Sequence, residues 1–479
     1  MKLIISKILF FIIIFNFAYS GDLLHTVDSI HLSATDFNIF WLIPFIGILL
    51  SIALIPLFAA SFWHHNYGKV SLFWGTIFFL SFSFYFTDYT LFYILEVYLR
   101  EFLPFIMLLL ALFTTSGGIL ISGGLHGSPK LNTLLLLIGT ILASIMGTTG
   151  ASMLLIRPLI RANSWRKNKV HLIIFFIFLV SNIGGSLTPI GDPPLFLGFL
   201  KGVDFTWTLF NMYLPMIFVC SILFILFFII DSYFYKKEAE NLNHKVENTS
   251  IAIDGKINFI LIGTIIAAVI VSGLPQLQAS VFEYHNTPMM TFGMLIQLLV
   301  LFFTIIISLK ITPEKCRDGN AFTWEPIKEV AKLFATIFLT MIPAIEMLKG
   351  VTKEIGPMSW MKNIIIDNNG NNIDFMYFWL TGILSSFLDN APTYVVFFTT
   401  ALGENSVDWL MTTGDTLLAI SCGAVFMGAM SYIGNAPNFM VKSISEENDI
   451  KMPSFFGYIV WSTLILIPVF ILTSLIFFK

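Results

Sequence analysis

Ile190-Gly191-Asp192-Pro193-Pro194 returns later in the chain as Ile433-Gly434-Asn435-Ala436-Pro437, an offset of 243 positions. Both stretches read Ile-Gly-Asp/Asn-x-Pro, and both follow an apolar run rich in small residues. A second pair of polar breaks keeps nearly the same spacing: Thr148-Thr149-Gly150-Ala151-Ser152 precedes Asp389-Asn390-Ala391-Pro392-Thr393 by 241 positions. These last two interrupt the apolar runs 131–160 and 375–402. Broken backbone at membrane depth survives only inside protein or beside a watery cavity. Both runs are therefore expected to be re-entrant hairpins that leave on the side they entered.

Composition supplies the membrane. Of 479 residues, 57% are hydrophobic and 11% charged, whereas a soluble domain has about 45–50% apolar and about 25% charged residues. Too little polar surface remains to coat a water-facing body. A net charge of −3 gives no reason to expect nucleic acid as a partner. Cys220, Cys316 and Cys422 form no CxxC pair, which argues against a disulfide framework or a zinc site. Gly68-Lys69 and Gly255-Lys256 are followed by Val and Ile, so no ATP-binding P-loop is present. A polytopic protein without a nucleotide engine reads as a secondary transporter or a channel, with no cofactor.

Lys2 and Lys7, the apolar run 8–17 and Ala18-Tyr19-Ser20-Gly21 have the order of a secretory signal peptide, residues 1–20. The remaining apolar runs are 39–62, 69–87, 102–122, 131–160, 170–190, 209–233, 257–274, 289–309, 333–348, 375–402, 416–435 and 455–478. About 20 apolar residues cross the hydrocarbon. Basic residues mark the inner side. The loop His64 to Lys69, Lys130, Arg157, Arg161, Arg166, Lys167, Lys236, Lys237, Lys315 and Lys332 fall there if the two interrupted runs are hairpins. The expected fold is an all-α polytopic membrane protein of two inverted repeats of five helices, 39–233 and 257–479. Each carries one hairpin, giving ten spans plus two hairpins, with a cytoplasmic linker at 234–256. Inverted repeats with broken helices at the midplane are a recurring plan of secondary transporters.

The four breaks hold the candidate site. Asp389 and Asp192 are their only carboxylates, and a charge in hydrocarbon must find a cation, a proton or strong donors. Burial disfavours the ionised form and a bound cation favours it, so proton and Na⁺ compete for such a group. Asp-x-Pro equally suits a helix N-cap. Asn390, Asn182, Thr148, Thr149, Ser152, Thr188, Thr393, Ser431, Asn435 and Asn438 add neutral oxygens around them. A Na⁺ ion is expected at Asp389, Asn390 and Asp192. Glu96 and Arg100 are spaced to pair on a helix, Glu346 to snorkel at a helix end, and His64, His65, His126 and His171 to lie at inner interfaces.

Gly147 to Pro158, Ser181 to Phe199, Ser386 to Val396 and Gly428 to Val441 together resemble the ion transporter superfamily. The likeness is greatest to its branch of NhaD-type sodium/proton antiporters and citrate transporters. That resemblance implies scaffold and transport domains, often in a homodimer, in a cell membrane of the bacterial inner-membrane kind. It matches Asp389-Asn390 to the Asp-Asn pair that such antiporters use for cations or protons, and Asp192 and Asn182 to an acid and an amide after the first hairpin. Gly147-Thr148-Thr149-Gly150 departs from the family, which has an Asp-Asn pair there. The leading expectation is sodium/proton antiport by alternating access, with Asp389 central and Asp192 in a looser, Pro-rich break. The alternative is cation-coupled uptake of citrate or another small carboxylate. Single-cysteine labelling, in a background lacking the three native cysteines, is expected to find Lys130 and Arg161 on one face and Asn372 and Glu404 on the other. Labelling of positions 130 and 161 from opposite sides would remove the first hairpin.

Overall fold

The computed structural model describes residues 31–239 and 252–478; the expected signal peptide and most of the expected linker lie outside them. Helices α1 (Ile43–Phe58) and α2 (Ala60–Tyr85) are separated by Ala59 alone. The loop expected at 64–69 is helical instead. His65 Nδ1 lies 2.8 Å from the Ser61 carbonyl oxygen, and Asn66 Nδ2 donates to that of Phe62 at 2.9 Å. Polar side chains that bond one turn back need no loop to satisfy them. Helix α3 (Thr87–Ser116) contains a π-helical turn, Glu96–Phe102, where Arg100 pairs with Glu96 at 3.2 Å as the spacing predicts.

Helices α4 (Pro129–Met146) and α5 (Thr148–Ala162) meet at Gly147 and fold back on each other. Their far ends are stitched together. Asn132 and Asn163 exchange side-chain hydrogen bonds of 3.0 and 2.8 Å, and the Gly127 N–H donates to the Ala162 carbonyl at 2.7 Å. The two helices thus lie side by side along their length. Next come α6 (Val170–Leu179), α7 (Pro193–Leu200) and α8 (Trp207–Ala239). Helix α8 runs past residue 233 into the expected linker, where Lys236 and Lys237 suit a helix C-terminus. Strand β1 (Leu120–Ser122) pairs antiparallel with β2 (Ala252–Asp254).

The second half contains α9 (Ile257–Ser272), α10 (Phe292–Ile311), and α11 (Glu325–Thr340) bent by 43° into α12 (Ile342–Lys349). Then follow α13 (Asp374–Phe387), α14 (Asn390–Leu402), α15 (Thr416–Met427), α16 (Ala436–Glu447) and α17 (Phe455–Phe477). Helices α13 and α14 form the second hairpin, with the Tyr377 and Phe397 rings 6.3 Å apart across it. A small antiparallel pair, Ser280–Tyr284 with Thr287–Thr291, links α9 to α10.

The chain is an all-α polytopic membrane protein. Among the described residues, seven helices are long and apolar enough to cross a bilayer, or eight with the bent pair. One of the seven is α4, in the first interrupted run; of the ten expected spans, α9 with 16 residues and α15 with 12 are shorter than these helices, and α2 is less apolar. Burial divides the helices into two kinds. Every residue from His171 to Leu179 and all of α15 are buried. Helices α1, α2, α8 and α17 instead expose large apolar side chains such as Leu72, Phe84, Phe210 and Leu464, as a lipid-facing surface requires.

One buried ionic cluster ties the base of the first hairpin to α8. Asp231 Oδ1 accepts from Arg166 Nη1 at 2.5 Å and lies 2.9 Å from His171 Nε2, while its Oδ2 accepts from Asn132 at 2.9 Å. Arg166 also bonds Glu238 at 3.2 Å. His171 is therefore buried against a carboxylate rather than interfacial, and Glu346 is paired with Lys349 at 2.8 Å. Removing one partner of a buried ion pair leaves the other uncompensated, at about 3–5 kcal/mol. Asp231→Leu is expected to cost stability of that order in detergent-melting measurements, and Arg166→Met/Asp231→Leu markedly less.

Candidate functional site

Four helices begin at the centre of the protein: α5 at Thr148, α7 at Pro193, α14 at Asn390 and α16 at Ala436. Asp192 lies among these starts and is almost wholly buried. Its Oδ1 accepts from Thr148 Oγ1 at 3.0 Å and Asn435 Nδ2 at 2.9 Å, and its Oδ2 from Asn390 Nδ2 at 2.6 Å. One carboxylate thus gathers a donor from each hairpin tip and one from the opposite crossover. Asp192 occupies the N-cap position of α7 but makes no capping bond; its lone pairs are spent on the tertiary contacts. Asp389 does cap, accepting the Ala391 N–H at 3.0 Å, and otherwise lines a cavity. The expectation that Asp192 sits in the looser break is reversed.

The two crossovers repeat bond for bond. Thr188 donates to the Ser144 carbonyl and Ser431 to that of Ser386, each at 2.5 Å. Ser144 and Ser386 in turn donate to the carbonyls of Gly184 and Met427, at 2.5 and 3.1 Å. A Cβ on Gly191 would strike the Gly185 carbonyl oxygen, and one on Gly434 that of Gly428. That close approach is why both motifs carry Gly before the Asp or Asn. Ser144 and Ser386 were not among the predicted residues, although their spacing of 242 carries the same signal.

The other predicted residues divide by what they bond. Asn182 donates to Asn438 at 2.7 Å and to the Ile177 carbonyl at 2.8 Å, and Asn438 donates to the carbonyls of Gly428 and Ser431. Ser152 pairs with Ser181 at 2.9 Å, and Thr393 donates to the Asp389 carbonyl at 3.0 Å. Together with Thr188 and Ser431, these hydroxyls satisfy their surroundings rather than face a ligand. Two amide oxygens do not. Asn182 Oδ1 and Asn390 Oδ1 are buried and accept no hydrogen bond. Asn182 Oδ1 borders Gly428, where an added Cβ would stand 3.1 Å from it and 3.3 Å from the Gly434 carbonyl oxygen; Asn390 turns its Nδ2 to the same point, at 3.5 Å. Buried acceptors without donors are rare, and oxygens of this kind suit a hard cation.

A cavity of about 80 Å³ opens beside these tips, room for several water molecules or a partly hydrated ion. Thr148, Thr149, Asp192, Asp389 and Asn435 give it a polar floor. Phe105 of α3 and Phe334 of α11, stacked with centroids 4.9 Å apart, form part of an apolar wall. The lining contains no Lys or Arg. That wall carries no motif, so sequence reading passed over it.

Broken helices meeting at a central cavity within an apolar polytopic fold define a membrane transporter. The chain belongs to the family described as "Putative citrate transport", whose model matches residues 34–478. A search among curated proteins finds no match to it.

An amide in place of the Asp192 carboxylate would present an N–H₂ to groups that are themselves donors. A buried polar group left without its partner costs about 1–3 kcal/mol. Asp192→Asn is therefore expected to lower thermal stability by that order, and Asp389→Asn by less, since an Asn can still cap α14. Differential melting of the two variants in detergent checks the ranking.

Proposed function

We propose that this transporter exchanges Na⁺ for protons by alternating access, with Asp389 as the group for which the two ions compete. The observation that carries this reading is the cavity itself: its lining offers two carboxylates and no basic side chain. Two carboxylates facing one small cavity repel each other unless a proton or a cation intervenes. Asp192 is already held by three donors, whereas among the described residues the Asp389 carboxylate accepts a hydrogen bond from the Ala391 N–H alone. Asp389 is accordingly the carboxylate that trades ions. Asn390, hydrogen-bonded to Asp192, adds an amide oxygen that accepts no hydrogen bond among the described residues. We further infer that the matched bonds of the two crossovers belong to an inverted repeat, which provides two related halves for inward- and outward-open states.

Family membership supports a second reading, cation-coupled uptake of citrate or a similar carboxylate. The four helix N-termini at the centre would attract anion oxygens. Against it, both Asp side chains already stand at those N-termini, and a tricarboxylate would meet no cationic side chain in the cavity.

Asp389→Asn preserves size and most capping ability but removes the titration. In proteoliposomes under a pH gradient, the variant is expected to insert normally and to lose proton-driven ²²Na⁺ flux. Flux at the wild-type rate would reduce Asp389 to a helix cap and remove the exchange mechanism.

A further inference from the structure

Helices α3 and α7 both wall the cavity, through Phe105 and Phe196. Glu101 precedes Phe105 by one turn in the π-helical segment of α3, and Lys201 follows Phe196 at the end of α7. A helical turn rises about 5.4 Å, so both side chains stand about one turn beyond the cavity between the same two helices. Lys201 Nζ donates to Glu101 Oε1 at 2.8 Å, with the two side chains 19% and 18% exposed. The second oxygen, Glu101 Oε2, is buried and accepts no hydrogen bond. The neighbouring charges on this turn, Glu96 and Arg100, are paired with each other.

We propose that Glu101 is an accessory cation station on the path to the cavity, occupied here by the Lys201 ammonium as a tethered stand-in. The inference rests on the cation-exchange reading above and gives it a route. A tether that served only to hold α7 against α3 has no use for a buried carboxylate oxygen without a donor, which costs free energy. A dehydrating monovalent cation does, because it needs several oxygen lone pairs at once. Lysine suits the stand-in role: its charge is compact and its stem flexible. Exchange of the ammonium for a free cation replaces one positive charge with another, so the partly buried carboxylate is never left uncompensated. A cation passing between α3 and α7 would displace Lys201, bind Glu101 and move one turn inward to the Asp192–Asp389 floor.

The test is ²²Na⁺ binding to the purified full-length protein, together with the half-saturating Na⁺ concentration for flux. Lys201→Met removes the competitor and is expected to lower the half-saturating concentration about fivefold, the worth of a partly exposed ion pair. Glu101→Gln is expected to raise it, and Glu101→Gln/Lys201→Met to follow Glu101→Gln. Should Lys201→Met fail to fold, Lys201→Gln carries the same expectation. Shifts of the same sign in both single variants, or reduced stability with unchanged half-saturation, would make the pair a tether and overturn the station. Asp389→Asn in the same assay separates the two claims. Na⁺ binding that depends on Asp389 but is indifferent to positions 101 and 201 sinks the station alone. No Na⁺ binding by the wild type sinks the cavity reading and the station with it.

Discussion

The centre of this protein depends on the Asp192 carboxylate. Four helices start there, each with the positive end of its helix dipole. A buried negative charge at that point is stabilised by what surrounds it, and it gives both halves of the chain a common partner. Thr148 reaches it from the first hairpin, Asn390 from the second and Asn435 from the second crossover. These contacts bridge 44, 198 and 243 residues of sequence. The hairpin tips are thus held at one place by hydrogen bonds to a charged group, which are worth more than neutral ones.

The same arrangement divides labour between two acids. Asp192, saturated with donors, is the fixed charge around which the tips assemble. Asp389 caps α14 with one oxygen and borders the cavity. The wall opposite, from α3 and α11, is apolar. The Arg166–Asp231 cluster ties the base of the first helix pair to α8.

The membrane class was legible in composition, and the crossovers in the spaced Ile-Gly-Asp/Asn-x-Pro motifs, because backbone crowding dictates the Gly at each. The break in the first interrupted run was legible too, at Gly147, and the two helices it separates meet again at Asn132 and Asn163. What each Asp does was not legible. Asp192 and Asp389 both precede a helix start, and only the donors arriving from distant segments decide which one caps. The helical state of 64–69 escaped for a local reason, since i−4 bonds satisfy polar residues that otherwise signal a loop. The buried place of His171 depends on Asp231, 60 residues away. Glu101 and Lys201 carry no motif, and their meeting is a product of how α7 packs on α3.

The claim on which the account turns is that the moving solute is a cation, driven by protons, at a cavity without basic side chains. Flux through the purified protein in sealed liposomes tests it most directly, with ²²Na⁺ and labelled citrate supplied separately under an imposed pH gradient. The account predicts proton-driven ²²Na⁺ movement with no citrate present. Citrate uptake that requires a cation, with no Na⁺ movement in the absence of citrate, would contradict it.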